Sequence, residues 1–158
     1  MLQPGDGNQG TLTLRHCTVV ATTPQAGATV LVYSPDIPGT NLILENCVLS
    51  LDGSNVGVLD GGHPEHVTVN AGTNLLYVGA GAADGSDLPG TVIMADPNLE
   101  ADNIHLADPS KADGAGVDIG IATDIDGQSR PWPSGSDPDL GADETDRVPV
   151  EISEFMME

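Results

Sequence analysis

A chain of 158 residues is the length of one domain, and 39% hydrophobic residues can bury a core that one Phe, one Trp and two Tyr leave almost wholly aliphatic. Twenty Gly and twelve Pro leave no uninterrupted stretch of good helix formers, so helix is expected to be a minor component. Twenty-four acidic residues stand against one Lys and three Arg, for a formal net charge of -20, which argues against nucleic acid and anionic membranes as partners. Phosphate neutralisation needs clustered cations, and Arg15, Lys111, Arg130 and Arg147 stand singly.

The opening MLQPGDGNQG (1–10) has neither a basic n-region nor an apolar h-region, and no long apolar run follows, so no membrane insertion is expected. Export would depend on a signal further upstream. Next comes TLTLRHCTVV (11–20), which aligns with NLILENCVLS (41–50): Leu12 falls over Leu42, Leu14 over Leu44 and Cys17 over Cys47. HVTV (66–69) and TVIM (91–94) continue as short apolar alternations and are read as further strands of the same register. A second family, ATVLVY (28–33), SNVGVL (54–59) and NLLYVG (74–79), lies between them, each member followed by a turn-rich stretch.

Equivalent residues recurring at the same place in each unit favour a parallel solenoid over an antiparallel sandwich, because parallel stacking sets like on like about 4.8 Å apart. The expected fold is all-β, with solenoid repeats over 1–95, a terminal repeat and cap over 96–144, and a linker or tail over 145–158. Cys17 and Cys47, the latter following a turn at Asn46, fit an inward ladder of free thiols; a disulfide or metal role is the alternative, although no further ligands accompany them. Nothing in 1–10 looks able to cover Leu12 and Leu14, so end-to-end self-association through this end is also expected.

From residue 96 onward the chain reads DPNL (96–99), IHL (104–106), DPSKADGAG (108–116), DIDGQSRP (124–131) and DLGADE (139–144). This order resembles the closing segment of bacterial right-handed parallel β-helix proteins of the pectate-lyase-like superfamily, in the surface-anchored type. Lys111 stands near a position usually held by Pro in that pattern. The tail RVPVEISEFMME (147–158) resembles the start of the segment leading to a sorting domain in surface proteins of type IX secretion bacteria. The resemblance implies a right-handed β-helix that is secreted or held at the cell surface, where a polysaccharide or another surface component would be its partner.

TDIDGQSRP carries the most chemistry, because Asp124 and Asp126 alternate and Gly127 permits the sharp turn of an oxygen-rich cation loop. Calcium is the natural ion, with Asp137, Asp139 and Asp143 near enough in sequence to complete a shell with Asp124 and Asp126. The other reading is a structural turn in which Asp side chains accept backbone amides and Arg130 pairs with a carboxylate. Four histidines, His16, His63, His66 and His105, invite a metal site, and His63 and His66 have H-x-x-H spacing, but Pro64 breaks the helix that would bring those two rings together, and each histidine is read as a polar loop or turn residue. A polysaccharide lyase or glycosidase would need a cationic base or a spaced carboxylate pair. Carboxylates abound, whereas cations and the aromatic platforms that sugars stack on are scarce, so no catalytic residue is assigned and a non-catalytic structural or adhesive module is expected, with the C-terminal part of a polysaccharide lyase or glycoside hydrolase as the alternative.

Overall fold

Nine strands, every pair of them parallel, make up the regular structure among the described residues of a computed structural model, which are 10–21, 28–33, 39–51, 55–60, 67–77 and 90–146. They are β1 (Thr11–Arg15), β2 (Thr18–Ala21), β3 (Ala28–Tyr33), β4 (Thr40–Glu45), β5 (Cys47–Leu51), β6 (Asn55–Asp60), β7 (Val67–Ala71), β8 (Thr73–Tyr77) and β9 (Thr91–Met94). The fold is all-β, with no helix among these residues. Three sheets form, in the orders β1-β4-β7, β2-β5-β8-β9 and β3-β6, so the chain visits the first, second and third sheet in turn and then begins again.

The stacking read from the sequence is a true strand register: Leu12 pairs with Leu42, Leu14 with Leu44 and Thr18 with Val48. Each ten-residue segment is, however, two strands. His16 and Asn46 break them at the same place in successive repeats, with φ of 45° and 55°, a left-handed corner that Asn tolerates better than most residues. The corner turns the chain from the first sheet into the second.

Two strand assignments change as a result. TVIM does not extend the HVTV register; β9 pairs with β8 in the second sheet, Thr73 facing Thr91 and Leu75 facing Ile93. Likewise β8, from NLLYVG, stacks on β5 rather than on β6, Cys47 facing Asn74. Alternation reports which side of a strand is buried, not which sheet the strand joins. HVTV enters the structure only as β7, which pairs with β4. The His63 and His66 pair and residues 1–9 lie outside the described residues, as does the tail from 147.

The second sheet is buried on both faces, and this decides where everything after β9 goes. One face contributes Cys47, Leu49, Leu51 and Leu76 to a core shared with Leu42 and Leu44, with Leu12, Leu14, Cys17, Val19 and Val92 packed at its margin. Cys17 and Cys47 are free thiols that stack in this core, Cys47 fully buried and Cys17 partly so. Their ladder continues into Asn74, whose buried amide accepts from Cys47 N (2.9 Å) and donates to Leu44 O (3.2 Å).

The opposite face offers Val48 and Leu75, which form a second core with Leu106, Ala112 and Leu140, flanked by Ile93, Leu99 and Ala115. Residues 96–144, expected to cap the end of the stack, therefore lie along the flank of the second sheet. The reason is legible in β5, CVLSL: consecutive apolar residues make a strand that needs cover on both sides. At 25 cal/mol per Å2, hiding each such Leu or Val contributes roughly 1.5–3 kcal/mol. Gly141 marks the closest approach, with φ of 96° and space for a Cβ only 2.7 Å from Thr18 Oγ1.

Candidate functional site

The closing motifs place their acids where loop backbone needs acceptors. Asp124 Oδ1 accepts from Asp126 N (2.9 Å) and Gln128 N (2.8 Å), closing the turn that Gly127 makes at φ 83°, and its Oδ2 accepts from Glu144 N (3.2 Å). Asp139 Oδ1 accepts from Gly114 N (2.6 Å), and its Oδ2 from both Thr145 N and Thr145 Oγ1 (2.8 Å each). Charge-assisted bonds of this kind fix a loop without any ion. Asp137 is exposed on the surface. The four calcium candidates Asp124, Asp126, Asp137 and Asp139 thus do not converge on a common point; backbone amides occupy both oxygens of two of them.

Glu144 continues the pattern in a fully buried position. Its Oε1 accepts from Trp132 N (2.8 Å), its Oε2 from Asp139 N (3.0 Å), and Arg130 Nε lies 3.3 Å from Oε2, with both side chains buried. Burial pushes the Glu144 carboxyl up and the Arg130 guanidinium down from their ordinary values, each offset in part by the other's charge. Arg130 Nη1 donates to Gly141 O (2.9 Å) and abuts His16 Nδ1. Burial, with the neighbouring Arg130, holds the His16 imidazole down to about 4, so it is neutral at pH 7.

Asn46 joins this network to the strands. Its Nδ2 donates to Val117 O (2.5 Å) and faces His16 Nε2 (2.9 Å), its Oδ1 accepts from Val117 N (3.1 Å), and its carbonyl accepts from Gly141 N (2.8 Å). The turn reading of TDIDGQSRP thus describes Asp124 and Arg130, whose roles are internal.

A different cluster lies at the surface, with one buried member. His105, Asp126 and Asp143 bring one potential ligand atom each to within 4.8 Å of one another, and they are the one such trio among the described residues. His105 Nε2 lies 2.8 Å from Asp126 Oδ2, and its Nδ1 is bonded to Asp102 Oδ2. Asp102 is itself held by Ile104 N (2.9 Å) and His105 N (3.1 Å) through Oδ1. Asp143, buried, is fixed by Leu106 N donating to its Oδ2 (2.8 Å). Hydrogen bonds that the ring donates to Asp102 and Asp126 raise the imidazole to about 9, the bond from His105 lowers the Asp102 carboxyl to about 2, and burial raises Asp143.

The sequence placed Asp126 and Asp143 among the ion ligands but read His105, which is 21 residues from Asp126 along the chain, as a polar loop or turn residue. The available signal was the D-x-x-H spacing of Asp102 and His105, which permits a local carboxylate–imidazole bond. No protein-family model, curated protein or solved structure matches this chain in comparisons with known proteins.

Proposed function

We propose that the chain is the C-terminal part of a right-handed parallel β-helix, a non-catalytic extracellular or cell-surface module with a structural and adhesive role toward polysaccharide or another surface component. The observation that carries the solenoid is the visiting order of the sheets from β1 to β8: first, second, third, first, second, third, first, second, with β9 returning directly to the second, and each strand parallel to its predecessor in the same sheet. Parallel neighbours require the chain to travel round before pairing again, and such crossovers are right-handed in the great majority of proteins. The resemblance of DIDGQSRP and DLGADE to the closing segment of surface-anchored β-helix proteins supports the compartment.

The non-catalytic reading draws on the cations. Arg15 is ion-paired with Glu45 (2.5 Å) and Arg130 is buried against Glu144, so neither offers a free base to a lyase substrate. The test incubates the purified chain with a panel of acidic and plant polysaccharides and follows retention, reducing ends and unsaturated products together. Retention without product supports an adhesive module. Release of either product overturns it in favour of the end of a lyase or glycoside hydrolase.

Self-association is a second reading, favoured because β1, β2 and β3 each stand last in their sheet and so leave one strand edge unpaired by the described residues. Light scattering against concentration would detect it, and Leu12→Lys with Leu14→Lys should abolish it. Filaments that survive those substitutions would exclude assembly through this end.

A further inference from the structure

We infer that His105, Asp126 and Asp143 form a binding site for a borderline divalent transition-metal ion of the zinc class, with coordination positions left open to solvent. One imidazole nitrogen and two carboxylates meet within 4.8 Å, a distance that small side-chain rotations close around an ion with ligand bonds of about 2.0–2.2 Å. The histidine decides the class of ion. Calcium prefers six to eight oxygens, whereas an imidazole with two carboxylates suits zinc, cobalt, nickel or manganese.

The surroundings are those of an oriented ligand rather than a chance cluster. Asp102 takes the Nδ1 side of His105, which leaves Nε2 as the atom aimed at Asp126; a bound ion would displace the Nε2 proton to solvent and take its place between the two. A carboxylate on the remote nitrogen fixes ring orientation and strengthens the ligand, and its loss ordinarily weakens metal binding about 10- to 100-fold. The donors have different mobilities. Asp143 is buried and held by Leu106 N, whereas His105 and Asp126 retain side-chain exposures of 34% and 49%. An ion entering from solvent would therefore meet two adjustable ligands over one fixed anchor. Three protein ligands at a partly open position leave room for water or an oxygen-rich partner to complete the shell.

Such an ion would join segments far apart in sequence, the turn at Asp102 and the DIDG loop, to the DLGADE segment. Asp124, which shapes that loop through backbone amides, would position Asp126 without touching the ion.

The experiment is calorimetric titration of the chelator-treated full chain with zinc alone, then with calcium alone, on wild type, His105→Ala, Asp126→Asn and Asp102→Asn. One zinc per chain is expected, more than tenfold tighter than calcium, with affinity falling more than tenfold in His105→Ala and Asp126→Asn and by about tenfold or more in Asp102→Asn. Cobalt loading supplies an independent reading, since its visible bands should appear in wild type and vanish in His105→Ala. Circular dichroism of each variant verifies the fold, and the exposure of Asp126 makes Asp126→Asn the variant least able to disturb it. Zinc binding that His105→Ala leaves unchanged would overturn the assignment and place the ion elsewhere, for example at His63 and His66. Calcium binding as tight as zinc, or no binding of either, would overturn it equally.

Discussion

Replacing Asn46 tests the joint between the strands and the closing loops. Asn46→Ala removes three side-chain hydrogen bonds, two to Val117 and one to His16, and puts a Cβ-bearing residue without a local polar group at φ 55°. Each bond contributes about 1 kcal/mol net, and Ala in the left-handed region costs roughly a further 1. Water can replace part of the Val117 contribution, because that residue is 55% exposed. The expected loss is therefore about 3 kcal/mol. Asn46→Gly deletes the same bonds but fits the backbone, so it should lose about 1 kcal/mol less than Ala, an order opposite to that of an ordinary strand position. Urea unfolding at constant m-value provides the comparison, and amide exchange at Val117 and Gly141 should accelerate in both variants. An Ala variant losing under 1 kcal/mol, or Gly losing as much as Ala, would refute this account of the corner.

Acid should destabilise the chain through His16. Its folded value, about 4, lies below the unfolded 6.5, so the contribution is complete above pH 6.5 and is lost as the pH falls toward 4; at 1.36 kcal/mol per unit it amounts to about 3 kcal/mol. The wild-type curve minus that of His16→Asn should contain this slope, and parallel curves would refute it. Gly141→Ala should cost about 2–3 kcal/mol because its Cβ would meet Thr18 Oγ1 at 2.7 Å, while Gly120→Ala, at φ 78° with nothing within 4 Å, should cost about 1; thermal melts of both test the ranking. One thiol should react rapidly in the native chain and two after denaturation. The hydrogen bond from Cys47 lowers Cys17 to about 6, while the same bond and burial push Cys47 well up, so Cys47→Ala should slow Cys17 alkylation at pH 7. Equal native reactivity of the two thiols would contradict the ladder.

The repeat was legible because parallel stacking imposes identity at a distance, and Leu12 with Leu42 or Cys17 with Cys47 is visible without coordinates. The corner was half legible: a turn at Asn46 could be read, but not that His16 takes the same backbone conformation, since His is an unusual choice there. TVIM was misplaced because four alternating residues carry no label for their sheet. The acids of the closing motif were visible as a pattern, yet their partners are main-chain N–H groups, such as those of Gly114 and Thr145 around Asp139, which every sequence possesses. For the same reason the calcium shell expected from Asp124, Asp126, Asp137 and Asp139 stayed open beside the turn. His105 could be read only as a polar loop or turn residue, because it is the packing of Leu106 and Leu140 against Val48 and Leu75 that brings its loop beside Asp126.

The flank-lying segment also determines how tension would pass through the molecule. A pull applied after residue 146 reaches Gly141 and Ala142, which are bonded to Asn46 O and Thr18 Oγ1, before it reaches β9. The load would therefore enter near β2 and β5 and be shared across the second sheet in shear, rather than peel the last strand from its neighbour. The hydrogen bonds of the second sheet would then bear the load together rather than one at a time.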